Sequence, residues 1–214
     1  MRLILTWLAL VLASTAAQAV DAEAIKDPRL KEMAWSHPDK QELYTENNHP
    51  ELYCLALNIY HEAKSESLAG QFAVADVVLN RVNDVRYPDD VCGVVLEAKM
   101  RESWKTKQHK DLPDDERIYY PVRNMCQFSW YCDGKSDKAK DGDSWRRAQV
   151  IAYMIHKNRK YRGITEGATH YHATYVSPKW APELDLVGRI GTHIFYRLSL
   201  IHISEPTRPS VISY

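Results

Sequence analysis

Glu51-Leu52-Tyr53-Cys54-Leu55-Ala56-Leu57-Asn58-Ile59-Tyr60-His61-Glu62-Ala63-Lys64-Ser65-Glu66 is the stretch from which the fold is read. Leu52, Leu55, Ile59 and Ala63 recur at spacings of three and four, which predicts a helix with one buried face, widened by Cys54 and Tyr60. A second helix is predicted from about Leu68 to Val85, with Phe72, Ala75, Val78, Leu79 and Val82 as its apolar stripe and Asn80, Arg81 and Asn83 on a polar edge. Tyr87-Pro88-Asp89-Asp90 stops it, because proline restricts the residue before it and the acidic pair favours a turn. Val91 to Ala98 reads as a short third helix capped by Asp90. Lys99 to Pro121 is highly charged without a sustained period, which predicts an exposed insertion or a mobile loop. A helix capped by Asp143 runs to about Asn158, with Trp145, Ala148, Ile151, Ala152 and Ile155 inward. Within Ala168 to Arg197 the residue types change. Thr169, Tyr171, Thr174, Tyr175 and Val176 favour strand, Pro178 and Pro182 interrupt it, and Ile190, His193, Ile194, Phe195 and Tyr196 form a last strand candidate. The sum is an α+β fold, a mostly helical single domain with a small β element.

Both ends read as separate from this domain. Arg2 followed by the apolar run Leu3–Ala13 and the small-x-small Ala17-Gln18-Ala19 has the layout of a secretory signal over residues 1–19. Its apolar run is shorter than a membrane span requires, so the expectation is cleavage, leaving an exported periplasmic or secreted protein with no membrane attachment. Residues 20–50 are polar and turn-rich and read as an N-terminal extension to a domain over 51–197. Residues 198–214 contain Leu198-Ser199-Leu200-Ile201-His202-Ile203-Ser204-Glu205-Pro206-Thr207-Arg208, which looks like the translation of a transposon adapter used in sequencing libraries. A natural tail is the alternative. Roughly 180 residues remain, enough for one core.

The chain has 28 basic and 28 acidic residues. No basic excess points to nucleic acid or to an anionic membrane surface. Six Trp and 13 Tyr suit a groove that stacks on sugar rings, and equally suit ordinary packing. Cys54, Cys92, Cys126 and Cys132 follow an export signal, so an even count reads as two disulfides, with three pairings open. None is spaced as a CxxC zinc site would be.

A helix running from Glu62 to Glu66 would set two carboxylates on neighbouring turns of one face. Apolar neighbours, a like charge, and the helix C-terminus would all push Glu62 toward the protonated form. A glycosidic bond needs such a group, since the leaving oxygen must gain a proton as the C–O bond breaks.

Ile59-Tyr60-His61-Glu62-Ala63-Lys64, followed by Gly70-Gln71-Phe72-Ala73-Val74-Ala75-Asp76-Val77-Val78-Leu79-Asn80-Arg81-Val82, resembles the bacterial cell wall hydrolases of the spore-cortex-lytic, SleB-like type. So do Val91-Cys92-Gly93-Val94-Val95, Cys126-Gln127-Phe128-Ser129-Trp130, Ala168-Thr169-His170-Tyr171-His172, Pro178-Lys179-Trp180 and Arg189-Ile190-Gly191-Thr192-His193-Ile194-Phe195. The resemblance implies a lysozyme-like domain, acting as a monomer on peptidoglycan glycan strands. It implies Glu62 as catalytic acid/base, in a lytic transglycosylase or muramidase-like reaction without metal or cofactor. Where many relatives carry Ala-Arg-Gly-Glu, this chain has Ala63-Lys64-Ser65-Glu66, which leaves the role of Glu66 as a second carboxylate open. Gln71, Asn80, Gln127, Ser129, Tyr171, His172 and Trp180 are the candidate substrate contacts. Gln71 and Asn80 read equally well as polar helix-edge residues, and Tyr171 and Trp180 as core packing. Two other readings stand beside this one. A zinc-dependent N-acetylmuramoyl-L-alanine amidase would draw on His170, His172 and His193, and a non-catalytic wall-binding module would keep the fold alone.

Overall fold

In the computed structural model of the chain, residues 44–140 and 142–198 are described. The expected signal, most of the N-terminal extension, and the adapter-like tail after Leu198 lie outside them. The first helix, α1, runs Pro50–Ala63, with proline in its first turn where no hydrogen bond is lost and Glu51 facing the positive end of the dipole. α2 spans Leu68–Val82, and its N-cap Ser67 accepts the Gly70 N–H. α3 is Val91–Val95, capped by Asp90, which accepts from Gly93 N at 2.7 Å. It stops three residues short of the expected Ala98 because the chain turns there into a strand. That strand, β1 (Ala98–Glu102), leads into the single turn α4 (Trp104–Lys107) and pairs antiparallel with β2 (Tyr119–Cys126). The segment expected as an exposed insertion or a mobile loop is exposed, but it is a paired hairpin rather than a loop. Both its strands are largely exposed on both faces, so no inside–outside alternation marked them in the sequence. α5 covers Gly142–His156.

β3 (His170–Ala173), β4 (Asp185–Ile190) and β5 (His193–Arg197) form an antiparallel sheet in the order β3-β5-β4. β4 was not expected. Its ladder slips between Leu186 and Gly188, and that irregularity breaks the period of two.

The core lies where α1, α2 and α5 meet. Leu55, Ile59, Phe72, Ile151 and Ile155 are fully buried, each side chain contributing about 1.5–3 kcal/mol by leaving water. The Cys54–Cys92 disulfide ties α1 to α3 across 38 residues, a closure that stabilises by about 4 kcal/mol in the loop-entropy account. Cys126–Cys132 closes a short turn after β2, so the three possible pairings resolve to these two bonds. Buried Asp76 on α2 accepts from Gly163 N at 3.0 Å, Thr165 N at 3.1 Å and Thr165 Oγ1 at 2.6 Å, and pairs with Arg162. This network holds the connection between α5 and β3, where Arg159, Tyr161 and Glu166 take positive φ. Such strain persists only where the surroundings over-determine it.

Candidate active site

Glu62 sits in the last turn of α1, half-buried rather than free in solvent. Tyr171 Oη donates to Glu62 Oε2 at 3.1 Å across 109 residues of sequence. The sheet explains why the tyrosine points there. Successive side chains of a strand face opposite sides, and Tyr171 is the direct partner of fully buried Phe195 on β5. Their rings pack at 5.7 Å, and the edge of His193 meets Tyr171 at 5.2 Å.

The third member is Arg81 on α2, only 6% exposed. Its Nε donates to the Thr169 carbonyl at 2.8 Å, and its guanidinium lies over the rings of Phe128 at 5.3 Å and Tyr87 at 5.4 Å. Its Nη1 is buried without a hydrogen-bond partner. Sequence reading placed Arg81 on a polar edge and assigned it nothing. A signal was present, because positions three and four before it, Val78 and Val77, are both fully buried, so Arg81 continues an inward face.

Burial raises the Glu62 pKa above the usual carboxylate value; the Tyr171 hydrogen bond and the Arg81 charge oppose it without reversing it. Tyr171 is pushed well above its own usual value, first by burial and then by the Glu62 charge, which keeps it a donor. The arrangement can hold a proton on Glu62, release it to a bound oxygen, and stabilise the carboxylate left behind.

Glu66 does not join Glu62. Its carboxylate accepts Thr192 N at 3.0 Å and the Thr192 hydroxyl, fastening the β4–β5 turn, and it is not among the groups that shift Glu62. The like-charge push expected from it is absent because the carboxylate is turned to that turn. Gly191, at φ +60°, leaves the space, since a Cβ there would collide with Glu66 Oε2.

Gln71 is buried and donates to the Glu66 carbonyl at 3.1 Å, bracing the turn after α1. Asn80 donates to Thr165 Oγ1 at 3.1 Å and the Ala168 carbonyl at 2.9 Å, and accepts from Arg162. Both side chains are committed to the scaffold. Tyr171 binds the acid rather than offering an open platform. His172 and Trp180 belong to the opposite face of the sheet. There His172 stacks on Tyr196 at 5.3 Å, and Trp180 packs edge-on against both at 5.6 and 5.5 Å. His193 lies on the Tyr171 face, so the three histidines of the amidase reading do not converge. His170, held neutral at ordinary pH, has its pKa lowered to about 4, first by burial and then by Arg81.

Gln127 and Ser129 are exposed beside the second disulfide. Gln127 Nε2 donates to Glu97 Oε2 at 3.2 Å, and both line a cavity of about 410 Å³ at the root of the hairpin. Phe128, the residue after Gln127, lies under the Arg81 guanidinium at 5.3 Å, which ties the root of the hairpin to the Arg81 side of the site. Glu97 is a second carboxylate the sequence reading did not single out.

The Cell Wall Hydrolase family matches residues 65–196, from just after Glu62 to the end of β5. The spore cortex-lytic enzyme of Halalkalibacterium halodurans is 43% identical over 54 residues, 25% of this chain and 16% of that protein. The enzyme of the same name from Bacillus subtilis is 46% identical over 43 residues, 20% of this chain and 14% of that protein. This chain thus spans under a fifth of the length of either relative. Among solved structures, the catalytic domain of the Bacillus cereus SleB protein aligns over 72% of this chain and 92% of its own, at 22% identity and a TM-score of 0.45. That of the germination-specific lytic transglycosylase SleB from Bacillus anthracis aligns over 73% and 98%, at 22% identity and a TM-score of 0.42. With more than half its length matched by the family, the chain belongs to the cell wall hydrolases.

Proposed function

We propose that the chain cleaves the glycan strands of peptidoglycan, with Glu62 as the acid/base. The observation that carries this reading is the half-buried carboxyl at the end of α1, raised above its usual pKa and held by Tyr171. Protonated Glu62 gives its proton to the bridging oxygen as the bond to the anomeric carbon breaks. The carboxylate it becomes is supported by the Tyr171 hydroxyl and the Arg81 charge. It then takes the proton of the hydroxyl that attacks the anomeric carbon, returning to its starting form. In a lytic transglycosylase that hydroxyl is the muramic acid's own, so one acid/base group suffices and no nucleophilic carboxylate is needed. Tyr171 positions Glu62 rather than touching the reacting atoms.

The same reading places the protein outside the cytoplasm as a monomer. Two disulfides support an oxidising compartment. Among the described residues, no helix is long and apolar enough to cross a membrane.

Mass spectrometry of purified sacculi after digestion tests the proposal. Anhydromuramyl ends are expected. Reducing ends would keep Glu62 as the acid but make water the acceptor. Free stem peptides released from intact glycan would overturn it in favour of an amidase, and sacculi bound without any soluble product would reduce it to a binding module.

A further inference from the structure

The hairpin between α3 and α5 gathers much of the exposed apolar surface: Met100, Trp104, Ile118, Tyr119, Tyr120 and Met125 are each more than 40% exposed. At its far end, beyond the cavity at its root, lies a second cavity of about 500 Å³ walled by Trp104 and Tyr120 and edged by Arg101, Lys105 and Lys107. Trp104 is 67% and Tyr120 56% exposed.

The cup is built rather than incidental. Arg101 and Tyr120 are direct cross-strand partners. Ser103 caps α4 through Lys105 N at 3.3 Å and receives the Thr106 hydroxyl at its carbonyl at 3.2 Å, and both residues are buried. Ser103 N reaches the Ile118 carbonyl at 2.7 Å, which closes the far end of the hairpin. The one carboxylate in the lining, Glu102, is taken by Arg117 at 2.7 Å, first among the causes that hold it below the usual carboxylate range. Arg117 is itself anchored to the Lys110 carbonyl at 3.1 Å. Arg101, Lys105 and Lys107 make no ion pair among the described residues. The lining is therefore aromatic and cationic, with its only anion already neutralised.

We propose that this cup binds a carboxylate-bearing peptide, namely the acidic stem peptide of the wall polymer. This rests on the reading of peptidoglycan as substrate. The three cations complement the free carboxylates of such a stem, and the two rings supply apolar contact for its aliphatic side chains at little entropic cost. The concave shape favours a short segment over a flat lipid surface. Because the hairpin root leads to Phe128 under Arg81, a stem held at the far end would help set the register of the strand on the protein.

Isothermal titration calorimetry of the whole protein tests this with two probes, a free-acid stem tetrapeptide and the same peptide with its carboxylates amidated. The free acid is expected to bind, and the amidated peptide to bind roughly tenfold more weakly, since exposed ion pairs each contribute a few-fold. The triple variant Arg101→Gln, Lys105→Gln, Lys107→Gln should lose about as much affinity for the free acid. Trp104→Ala should also weaken binding, and its exposed position keeps the fold intact. Cleavage of peptide-free glycan should be unchanged in all these variants. Equal binding of the two peptides, or undiminished binding by the triple variant, would overturn the proposal. Binding to phosphatidylglycerol vesicles without peptide binding would overturn it in favour of a membrane contact. Calorimetry reads the cup without cleavage, so its failure and a failure of the Glu62 assignment are separately visible.

Discussion

Glu62 and Glu66 stand four residues apart and carry the same functional group, yet the fold gives them opposite surroundings. Glu62 ends a regular helix with apolar packing behind it and one phenol in front. Glu66 lies just past the helix, where Gly70 and Gly191 leave room for its carboxylate to be locked onto Thr192. One carboxyl is half-buried with a single neutral donor, a setting that favours keeping a proton. The other is saturated by a backbone amide and a hydroxyl, a setting that favours staying put. Residue type and spacing do not distinguish the proposed proton donor from a staple; what the fold brings opposite each one does.

That contrast can be broken most sharply at Glu62. Glu62→Gln should lower the rate of sacculus lysis by on the order of 10²–10⁴, the usual contribution of a positioned general acid. Its stability should move the other way. A carboxyl whose folded pKa is raised favours the folded state least at high pH, the loss accruing as pH climbs from the unfolded to the folded pKa. At neutral pH the amide removes that penalty, so the Tm of Glu62→Gln should equal or exceed that of the unsubstituted protein. A lower Tm together with retained lysis would reverse the two roles.

Glu66→Gln should show the complementary pattern. Losing charge-assisted bonds to the β4–β5 turn should cost about 1–3 kcal/mol, read as a fall of several degrees in Tm. The rate per folded molecule should change far less than in Glu62→Gln.

Tyr171→Phe sharpens the comparison at smaller scale. Without the phenol that lowers the Glu62 pKa, the carboxyl should titrate higher. The alkaline limb of the lysis profile should then shift to higher pH, with a rate loss of several-fold from the missing hydrogen bond of about 1 kcal/mol. An unshifted limb would mean the bond does not act on the titrating group.

Much of this fold was legible before any coordinates because the buried helices carry their period openly. Leu52, Leu55, Ile59 and Ala63 announce α1, which starts at Pro50, one residue before the stretch as read, and ends at Ala63, so it does not continue to Glu66. The hairpin β1–β2 was illegible for the converse reason. Its strands are covered on neither face, so nothing forces an alternating pattern. At the proposed site, the resemblance singles out Glu62, whose spacing alone is a weak signal. Its surroundings are not legible in the sequence, because Tyr171 meets Glu62, and Arg81 the Thr169 carbonyl, only through long-range pairing that local spacing cannot encode. Asn80, which reads equally well as a sugar contact or a polar helix-edge residue, faces the 162–168 connection, while its neighbour Arg81 donates to the Thr169 carbonyl.

The most direct test is a carbon-detected NMR titration of the Glu62 carboxyl in the uncomplexed protein. The account predicts a midpoint above the usual glutamate value of about 4.3, rising further in Tyr171→Phe. A midpoint at or below that value would leave the group without a proton to give and would contradict the assignment.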